Sequence, residues 1–239
     1  MKFVFFHGAF GSPEGNWFPQ LKEKLEALGQ EVIVPQFPVD NWDEFTKLGP
    51  SVPSKNQNLD NWLKAFEPIY KSLKKREKVC FVGHSLGCVC ILHVVTKFNL
   101  KLDCAIFVAP FMDKLGDKYW QFDHANGSFY KISWDFEKLK KLIPTSYVLH
   151  SDNDPYVERN HSIIFSKALN SSIIFVKRAG HMNSEVNLNE FPLVFELCNT
   201  RLDLTLYQRY LSELKKENVL DYLQVDHKNL IFVNVHIPA

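Results

Sequence analysis

The chain has 239 residues, a length that suits one domain with a sizeable core, and 46% of them are hydrophobic. Its formal net charge of +1 gives no electrostatic reason to bind nucleic acid or an anionic membrane surface. No apolar run approaches the roughly 20 residues that span a bilayer, so no transmembrane helix is expected.

Short apolar segments alternate with longer amphipathic ones along most of the chain. The predicted strands are 2–6, 31–37, 78–82, 102–110, 146–150 and 171–179. The predicted helices are 17–28, 59–75, 86–98, 160–169 and 189–199. Because the strands are apolar throughout, the pattern predicts a mainly parallel sheet with helices on both faces, a three-layer α/β/α sandwich.

The alternating elements predict one domain over 1–199. Two segments of the chain depart from the alternation. Residues 111–144 carry many aromatic side chains among scattered polar ones, and a lid or cap would be inserted there. Residues 200–239 follow a complete set of sheet elements, with helical spacing over 204–214 and a strand pattern over 230–237. This extension is expected to pack on the edge of its own domain. The alternatives are a homodimer arm or an element that binds a partner.

The five cysteines form no Cys-x-x-Cys pair and no ladder with zinc spacing. They are expected to be buried free thiols in a reducing compartment, and no metal site is predicted. The apolar residues before His7 are too few for the core of a signal peptide. We therefore expect a cytoplasmic protein.

The segment Gly83-His84-Ser85-Leu86-Gly87 joins a predicted strand to a predicted helix. Glycine on either side permits a turn too tight for Cβ atoms, which holds the serine hydroxyl exposed at the end of the strand. The start of the next helix adds free N–H groups and a positive dipole. The pattern is typical of the nucleophile elbow of serine hydrolases. The alternative is an ordinary turn in which Ser85 caps the helix.

A serine hydroxyl attacks a carbonyl only with a base beside it and a carboxylate to orient that base. On this scaffold the expected chain order is Ser, then Asp or Glu, then His, each just after a strand. Asp154 follows the strand 146–150, with Asp152 as its competitor, and His181 follows the strand 171–179. His84, inside the turn, is expected to point away from the site.

The same chemistry needs two N–H donors for the developing oxyanion. One is expected from Leu86, the residue after the nucleophile, and the other from the glycine-rich loop 7–12. Ala9 is favoured as the second donor, and Phe10 is the other choice. The loop lacks both the G-x-G-x-x-G pattern and a Walker lysine, so a phosphate site is not expected. A plain glycine-rich turn remains the alternative.

Three aromatic residues of the segment 111–144 are candidates for the wall of an acyl pocket. They are Phe111, Tyr119 and Trp120. Packing in the hydrophobic core is the alternative role for each of them.

The motifs "FFHGAFGSPEGNW", "VGHSLG", "SDNDPYV" and "AGHMN" resemble the small serine hydrolases of the retinoblastoma-binding protein 9 family, in the α/β-hydrolase superfamily. The resemblance covers about 1–199 and implies a compact α/β-hydrolase fold. It implies Ser85 as nucleophile, Asp154 as the acid, in preference to Asp152, and His181 as base. The partner that gives the family its name is not implied, because the chain has no L-x-C-x-E stretch.

These observations predict a hydrolase that cleaves a carboxylic ester or a similar small acyl substrate through an acyl-enzyme, without metal or organic cofactor. A thioesterase or a peptidase would use the same three residues. The alternative from another class is a hydrolase-fold protein with little turnover that serves as a binding module.

Overall fold

The structure is a computed structural model that describes residues 1–74, 77–116, 120–130 and 133–216. The chain divides into two compact units, Met1–Cys198 and Asn199–Ala239. In the second unit the described residues, 199–216, continue the last helix of the first.

Six strands form one sheet within the described residues. They are β1 (Lys2–Phe6), β2 (Glu31–Ile33), β3 (Val79–His84), β4 (Cys104–Val108), β5 (Ser146–Ser151) and β6 (Ser172–Val176). Their spatial order is β2-β1-β3-β4-β5-β6, and every neighbouring pair is parallel. The predicted parallel sheet is therefore confirmed.

Helices connect the strands and cover the sheet. They are α1 (Phe18–Ala27), α2 (Trp42–Leu48), α3 (Leu59–Ser72), α4 (Leu86–Phe98), α5 (Trp120–Asn126), α6 (Phe136–Leu142), α7 (Arg159–Leu169) and α8 (Pro192–Lys216). Short 3₁₀ helices cover Gly127–Tyr130 and Ser184–Val186.

The two faces of β1 explain why the strands show no polar alternation. The ring of Phe5 packs against Phe18 of α1, with centroids 5.8 Å apart. Successive side chains of a strand point to opposite faces, and Phe6 packs against Phe66 of α3 at 5.7 Å and Phe81 of β3 at 5.0 Å. A strand that meets helices on both faces must be apolar at every position, which produces the α/β/α sandwich.

Three strands are shorter than predicted. β4, predicted over 102–110, covers only Cys104–Val108, and the next residue, Ala109, has a left-handed φ of 52°. β2 ends at Ile33, two residues before Pro35, which has no N–H to donate to a neighbouring strand. β6 ends at Val176, and Arg178 has a φ of 55°, a left-handed conformation that turns the chain out of the sheet.

The sequence prediction lacks α2, α5 and α6, each seven residues long. Two turns of helix offer too few apolar positions for a periodic signal. Caps support two of these helices: the Asn41 side chain accepts from the Glu44 N–H, and Asp135 accepts from the Lys138 N–H. Pro68 lies inside α3, which nevertheless continues to Ser72.

The C-terminal predictions meet the structure only in part. The helical spacing over 204–214 falls within α8, which extends the predicted helix 189–199 to Lys216. The predicted strand 230–237 and the pocket candidate Tyr119 lie outside the described residues.

All five cysteines are buried, and none of them forms a disulfide: Cys80, Cys88, Cys90, Cys104 and Cys198. Among the described residues, no helix is both long enough and apolar enough to cross a bilayer.

Candidate active site

Ser85 lies in the turn between β3 and α4, in a backbone conformation that side chains rarely adopt. Its φ is 55° and its ψ is −120°. The turn is held by the N–H of Ser85, which donates to the Val108 carbonyl at 2.8 Å, and by the carbonyl of Ser85, which accepts from the Cys88 N–H at 3.0 Å. Strain of this kind is kept where the surrounding structure over-determines it, often at functional sites.

The glycines of the motif permit close packing around this turn. A Cβ atom added to Gly87 would lie 2.2 Å from the Phe6 carbonyl oxygen of β1. One added to Gly83 would lie 3.0 Å from the Cys88 backbone nitrogen. The first helical turn of α4 thus lies directly against β1, which brings Ser85 next to the loop that follows β1.

His181 and Asp154 form a buried pair. His181 Nδ1 lies 2.8 Å from Asp154 Oδ2. The loop that carries the imidazole bends at Gly180, whose φ is 52°, and at Met182, also at 52°. The Gly180 N–H donates to the Asn153 side chain at 2.9 Å, which ties this loop to the one that carries Asp154.

The Asp154 carboxylate is fully buried and well supplied with donors. Its Oδ1 accepts from the N–H groups of Tyr156 at 2.9 Å and Val157 at 3.0 Å, while Oδ2 faces His181. Burial alone would raise the pKa of Asp154, but the hydrogen bonds from His181 and the two backbone groups outweigh it and lower the pKa. The carboxylate is therefore ionised and can orient an imidazole.

Asp152, the competing acid, has other partners. Its Oδ1 accepts from the Arg178 N–H at 2.8 Å, and its Oδ2 lies 3.1 Å from Lys177 Nζ. It supports the turn after β6 and makes no contact with the imidazole.

His84 does not point away from the site, so that prediction was wrong. Its Nε2 donates to the His181 carbonyl at 2.9 Å, and the two rings lie 4.8 Å apart. Burial, and then repulsion from His181, lowers the pKa of His84 to about 3. A neutral His84 therefore supports the backbone of the loop that carries His181.

The loop after β1 approaches Ser85 and is held by its own hydrogen bonds. His7 Nδ1 donates to the Gly8 carbonyl at 2.9 Å, and the Gly11 N–H donates to the same oxygen at 3.2 Å. The Phe10 N–H donates to Gln57 Oε1 at 2.7 Å. Within the described residues, the Ala9 N–H has no acceptor. Leu86, the first residue of α4, has no intrahelical acceptor for its N–H.

A cavity of about 230 Å³ opens where these loops meet, at the carboxyl ends of the strands. Ala9, Phe10, Ser85 and His181 line it together. Among the described side chains, none forms a hydrogen bond with the Ser85 hydroxyl. Such bonds are often long before a substrate is bound.

Two of the predicted pocket residues, Phe111 and Trp120, do not line this cavity. Phe111 is fully buried in the hydrophobic core. The Trp120 ring packs against Phe45 at 6.3 Å and His124 at 6.2 Å. Both residues are apolar enough to suit either place, and the sequence does not distinguish a core side chain from a cavity side chain.

Other residues of the cavity wall were not predicted from the sequence. Leu115, Phe122 and Asn126 come from the segment 111–144, and Tyr156 comes from the loop after Asp154. The Tyr156 ring stands edge-on to His181, with centroids 5.0 Å apart. The proximity of Tyr156 to Asp154 in sequence was the one signal that could have identified it.

Among the described residues, no group of three or more His, Cys, Asp or Glu side chains is arranged to hold a metal ion.

A sequence profile described as serine hydrolase matches residues 3–200. The chain belongs to this serine hydrolase family. The match covers all of the sheet except Lys2, the first residue of β1, and every cavity residue named above.

Known proteins share this fold. The Bacillus subtilis protein YdeN is 25% identical over 196 residues, which cover 81% of this chain and 92% of YdeN. The crystal structure of the ydeN gene product superposes with a TM-score of 0.70 at 22% identity, over 84% of this chain and 98% of that one.

Two more distant structures share the architecture. Est1E from Butyrivibrio proteoclasticus, solved with ferulic acid bound, gives a TM-score of 0.59 at 17% identity, over 87% of this chain and 89% of that one. The methylesterase MES16 from Arabidopsis gives a TM-score of 0.58 at 13% identity, over 85% of this chain and 99% of that one. Identities this low show the fold alone, which is that of the α/β-hydrolases.

Proposed function

We propose that this serine hydrolase cleaves carboxylic esters, or similar small acyl compounds, with Ser85 as nucleophile, His181 as base and Asp154 as the orienting acid. The supporting observation is the buried pair of His181 and Asp154, 2.8 Å apart, beside a cavity that also exposes Ser85. We also propose that this chain is a member of the serine hydrolase family close to the retinoblastoma-binding protein 9 group, because it shares sequence motifs with that group.

In this mechanism the Ser85 hydroxyl attacks the carbonyl carbon while His181 Nε2 takes its proton. Asp154 accepts from Nδ1–H, which leaves Nε2 as the basic nitrogen and stabilises the imidazolium that forms. His181 then protonates the leaving alcohol. Water, deprotonated by the same imidazole, releases the acid from the acyl-enzyme.

We assign the oxyanion donors to the N–H groups of Leu86 and Ala9. The Phe10 N–H is the weaker candidate, because Gln57 Oε1 already accepts from it at 2.7 Å. Removing a single donor of this kind typically costs about 100- to 1,000-fold in rate.

Two features favour a small ester as substrate. The cavity volume of about 230 Å³ lies below the roughly 300–1,000 Å³ of drug-sized ligand pockets. The fold neighbours include a methylesterase and a protein crystallised with ferulic acid. The residues 111–144, which supply Leu115, Phe122 and Asn126 to the wall, would then act as a cap.

Five buried cysteines without a disulfide favour a cytoplasmic location for this activity.

The test is labelling with a fluorophosphonate probe, which needs an activated serine but no knowledge of the substrate. We expect strong labelling of the parent chain, and loss of at least about 100-fold in Ser85→Ala and His181→Ala, with a smaller loss in Asp154→Asn. Ser72→Ala, at the end of α3, is the matched control and should label normally. A well-folded parent that does not label would contradict the proposal and favour a binding module.

A further inference from the structure

Two buried amide side chains, far apart in sequence, meet beside the cavity. Gln57 is 0% exposed and Asn126 is 1% exposed, and Gln57 Nε2 lies 2.9 Å from Asn126 Oδ1. Asn126 lines the cavity that Ser85 and His181 share. Gln57 contacts the oxyanion loop through the Phe10 N–H at 2.7 Å.

The orientation of both amides follows from the backbone. The Phe10 N–H is a donor, so the group of Gln57 that faces it must be the oxygen. The Gln57 amide nitrogen then faces Asn126, which must present its own oxygen. The Asn126 nitrogen is left on the other side, with two N–H donors.

Those donors make no hydrogen bond of normal geometry, although Asn126 Nδ2 is buried. The nearby phenol of Tyr130 donates to Asp123 at 3.0 Å. Burial, and then the charge of Asp123, raises the pKa of Tyr130, and a weak contact with the Asn126 side-chain amide partly offsets that rise. A buried donor without an acceptor is costly, and such groups in a cavity wall are often completed by a ligand.

Hydrogen bonds from neighbouring residues also hold the backbone of Gln57 in place. Asp40 Oδ2 accepts from the Gln57 N–H at 3.1 Å, and the Gln57 carbonyl accepts from the Ser54 hydroxyl at 2.8 Å. These two bonds hold the backbone of Gln57, and its side chain is held by the Phe10 N–H and by Asn126 Oδ1.

The charge of the wall limits which acceptor could bind there. Among the described residues that line the cavity, none is Lys or Arg, while Glu185 is acidic. A carboxylate or phosphate on the substrate would meet this charge without compensation. An uncharged oxygen of the substrate would not be repelled by this acidic residue.

We propose that Asn126 is a specificity-determining residue, whose amide donates a hydrogen bond to an uncharged acceptor oxygen of the substrate close to the ester that is cleaved. Ether, keto and hydroxyl oxygens fit this description. The inference rests on the proposed esterase function and names a class of ester for the same site.

The test compares esters that differ only in one oxygen. p-Nitrophenyl methoxyacetate and p-nitrophenyl butyrate place an ether oxygen or a methylene at the same position of the acyl part. 2-Methoxyethyl acetate and butyl acetate do the same in the alcohol part. The ratio of kcat/KM within each pair is compared between variants, because the intrinsic reactivity of the esters then cancels.

We expect the parent to prefer the ether in at least one pair, relative to Asn126→Leu, by about 3- to 10-fold. Asn126→Asp should lower the ratio further, since it presents an acceptor to an acceptor. Asn99→Asp, an exposed residue just beyond the far end of α4, is the control and should leave the ratio unchanged.

Gln57→Glu gives a readout that a purely structural role would not produce. One carboxylate oxygen would still accept from the Phe10 N–H, and the other would accept from Asn126, whose amide would turn its oxygen to the cavity. We expect this variant to lose the ether preference with an intact cavity wall.

The outcomes separate the two proposals. A parent that labels with fluorophosphonate and hydrolyses these esters, but whose ratio stays within 2-fold in Asn126→Leu, Asn126→Asp and Gln57→Glu, would overturn the role of Asn126 alone. A folded parent that neither labels nor hydrolyses any of the four esters would overturn both proposals.

Discussion

His7 joins the loop that follows β1 to the chain beyond β2 through both of its ring nitrogens. Nδ1 donates to the Gly8 carbonyl at 2.9 Å, and Nε2 accepts from the Phe37 N–H at 3.0 Å. An imidazole that donates on one side and accepts on the other must be neutral. Burial lowers the pKa of His7 to about 4, which keeps it neutral at physiological pH.

This depressed pKa predicts a loss of stability in mild acid. In the unfolded chain His7 takes up a proton near pH 6.5, and in the folded protein only near the pKa of about 4. Between these values the unfolded state binds more protons, so the free energy of unfolding falls as the pH falls, by about 1.4 kcal/mol per pH unit for this group. The contribution is complete above pH 6.5 and is lost by pH 4.

Urea unfolding at pH 7, 5.5 and 4.5 measures this slope. We expect His7→Asn to have a slope shallower than the parent's by about one proton, whatever its stability at pH 7. Phe37→Leu changes the ring that packs against His7 but keeps the imidazole and the backbone N–H that donates to it, so its slope should match the parent's. Equal slopes for the parent and His7→Asn would show that His7 is not buried as a neutral group.

At the residue scale, the sequence identifies site residues that directly follow a strand. It does not identify residues that interact only because the fold brings them together. Ser85, Asp154 and His181 were singled out because each comes just after an apolar run, and the structure brings all three to the same end of the sheet. The pair of Gln57 and Asn126 has no local signal. These residues are 69 apart, and their roles depend on the orientation of two amides.

The junction of β3 with α4 requires a glycine, because there is no room for a side chain at that position. Gly87 lies in the first turn of α4, against the backbone of β1, and a Cβ there would lie 2.2 Å from the Phe6 oxygen. A backbone atom in the central sheet cannot move aside cheaply. The glycine is therefore required by packing, independent of any chemistry at Ser85.

We expect Gly87→Ala to lower the free energy of unfolding by about 3 kcal/mol, because overpacking outweighs the better helix propensity of alanine. Gly127→Ala is the matched control, since a Cβ at Gly127 has nothing within 4 Å. It should change stability by less than about 0.5 kcal/mol. Urea unfolding of both variants measures the difference, and equal effects would contradict the packing argument.

At the element scale, predictability follows length and burial. α4 matches its predicted range, 86–98, because a continuous apolar run after a turn has few alternatives. α2 and α5 are short, and aromatic contacts hold them: Trp42 lies 5.3 Å from Phe122, and Phe45 lies 5.7 Å from His124. Such contacts come from tertiary packing, which local periodicity does not report.

For the whole molecule, the parallel sheet could be predicted because alternation of apolar strands and amphipathic helices leaves few arrangements. The cavity could not, since its wall combines residues from the segments that follow five different strands, β1, β3, β4, β5 and β6. All of its described residues fall between Gly8 and Glu185, within the unit Met1–Cys198. The role of the residues beyond this unit, as an appendage or a dimer arm, stays a prediction.

Truncation tests whether the first unit is sufficient. A chain that ends at Asn199 retains Phe191, Val194 and Cys198, which are buried in that unit. We expect it to unfold cooperatively and to label with fluorophosphonate as the full chain does. A chain that ends at Glu190 loses all three side chains, and should unfold at much lower urea concentration, because burial of Phe191 and Val194 alone contributes about 1.5–3 kcal/mol each. If the chain ending at Asn199 fails to fold while the full chain folds and labels, the residues from 200 onward are part of the hydrolase domain. If it folds but elutes as a monomer where the full chain is a dimer, they form the dimer arm.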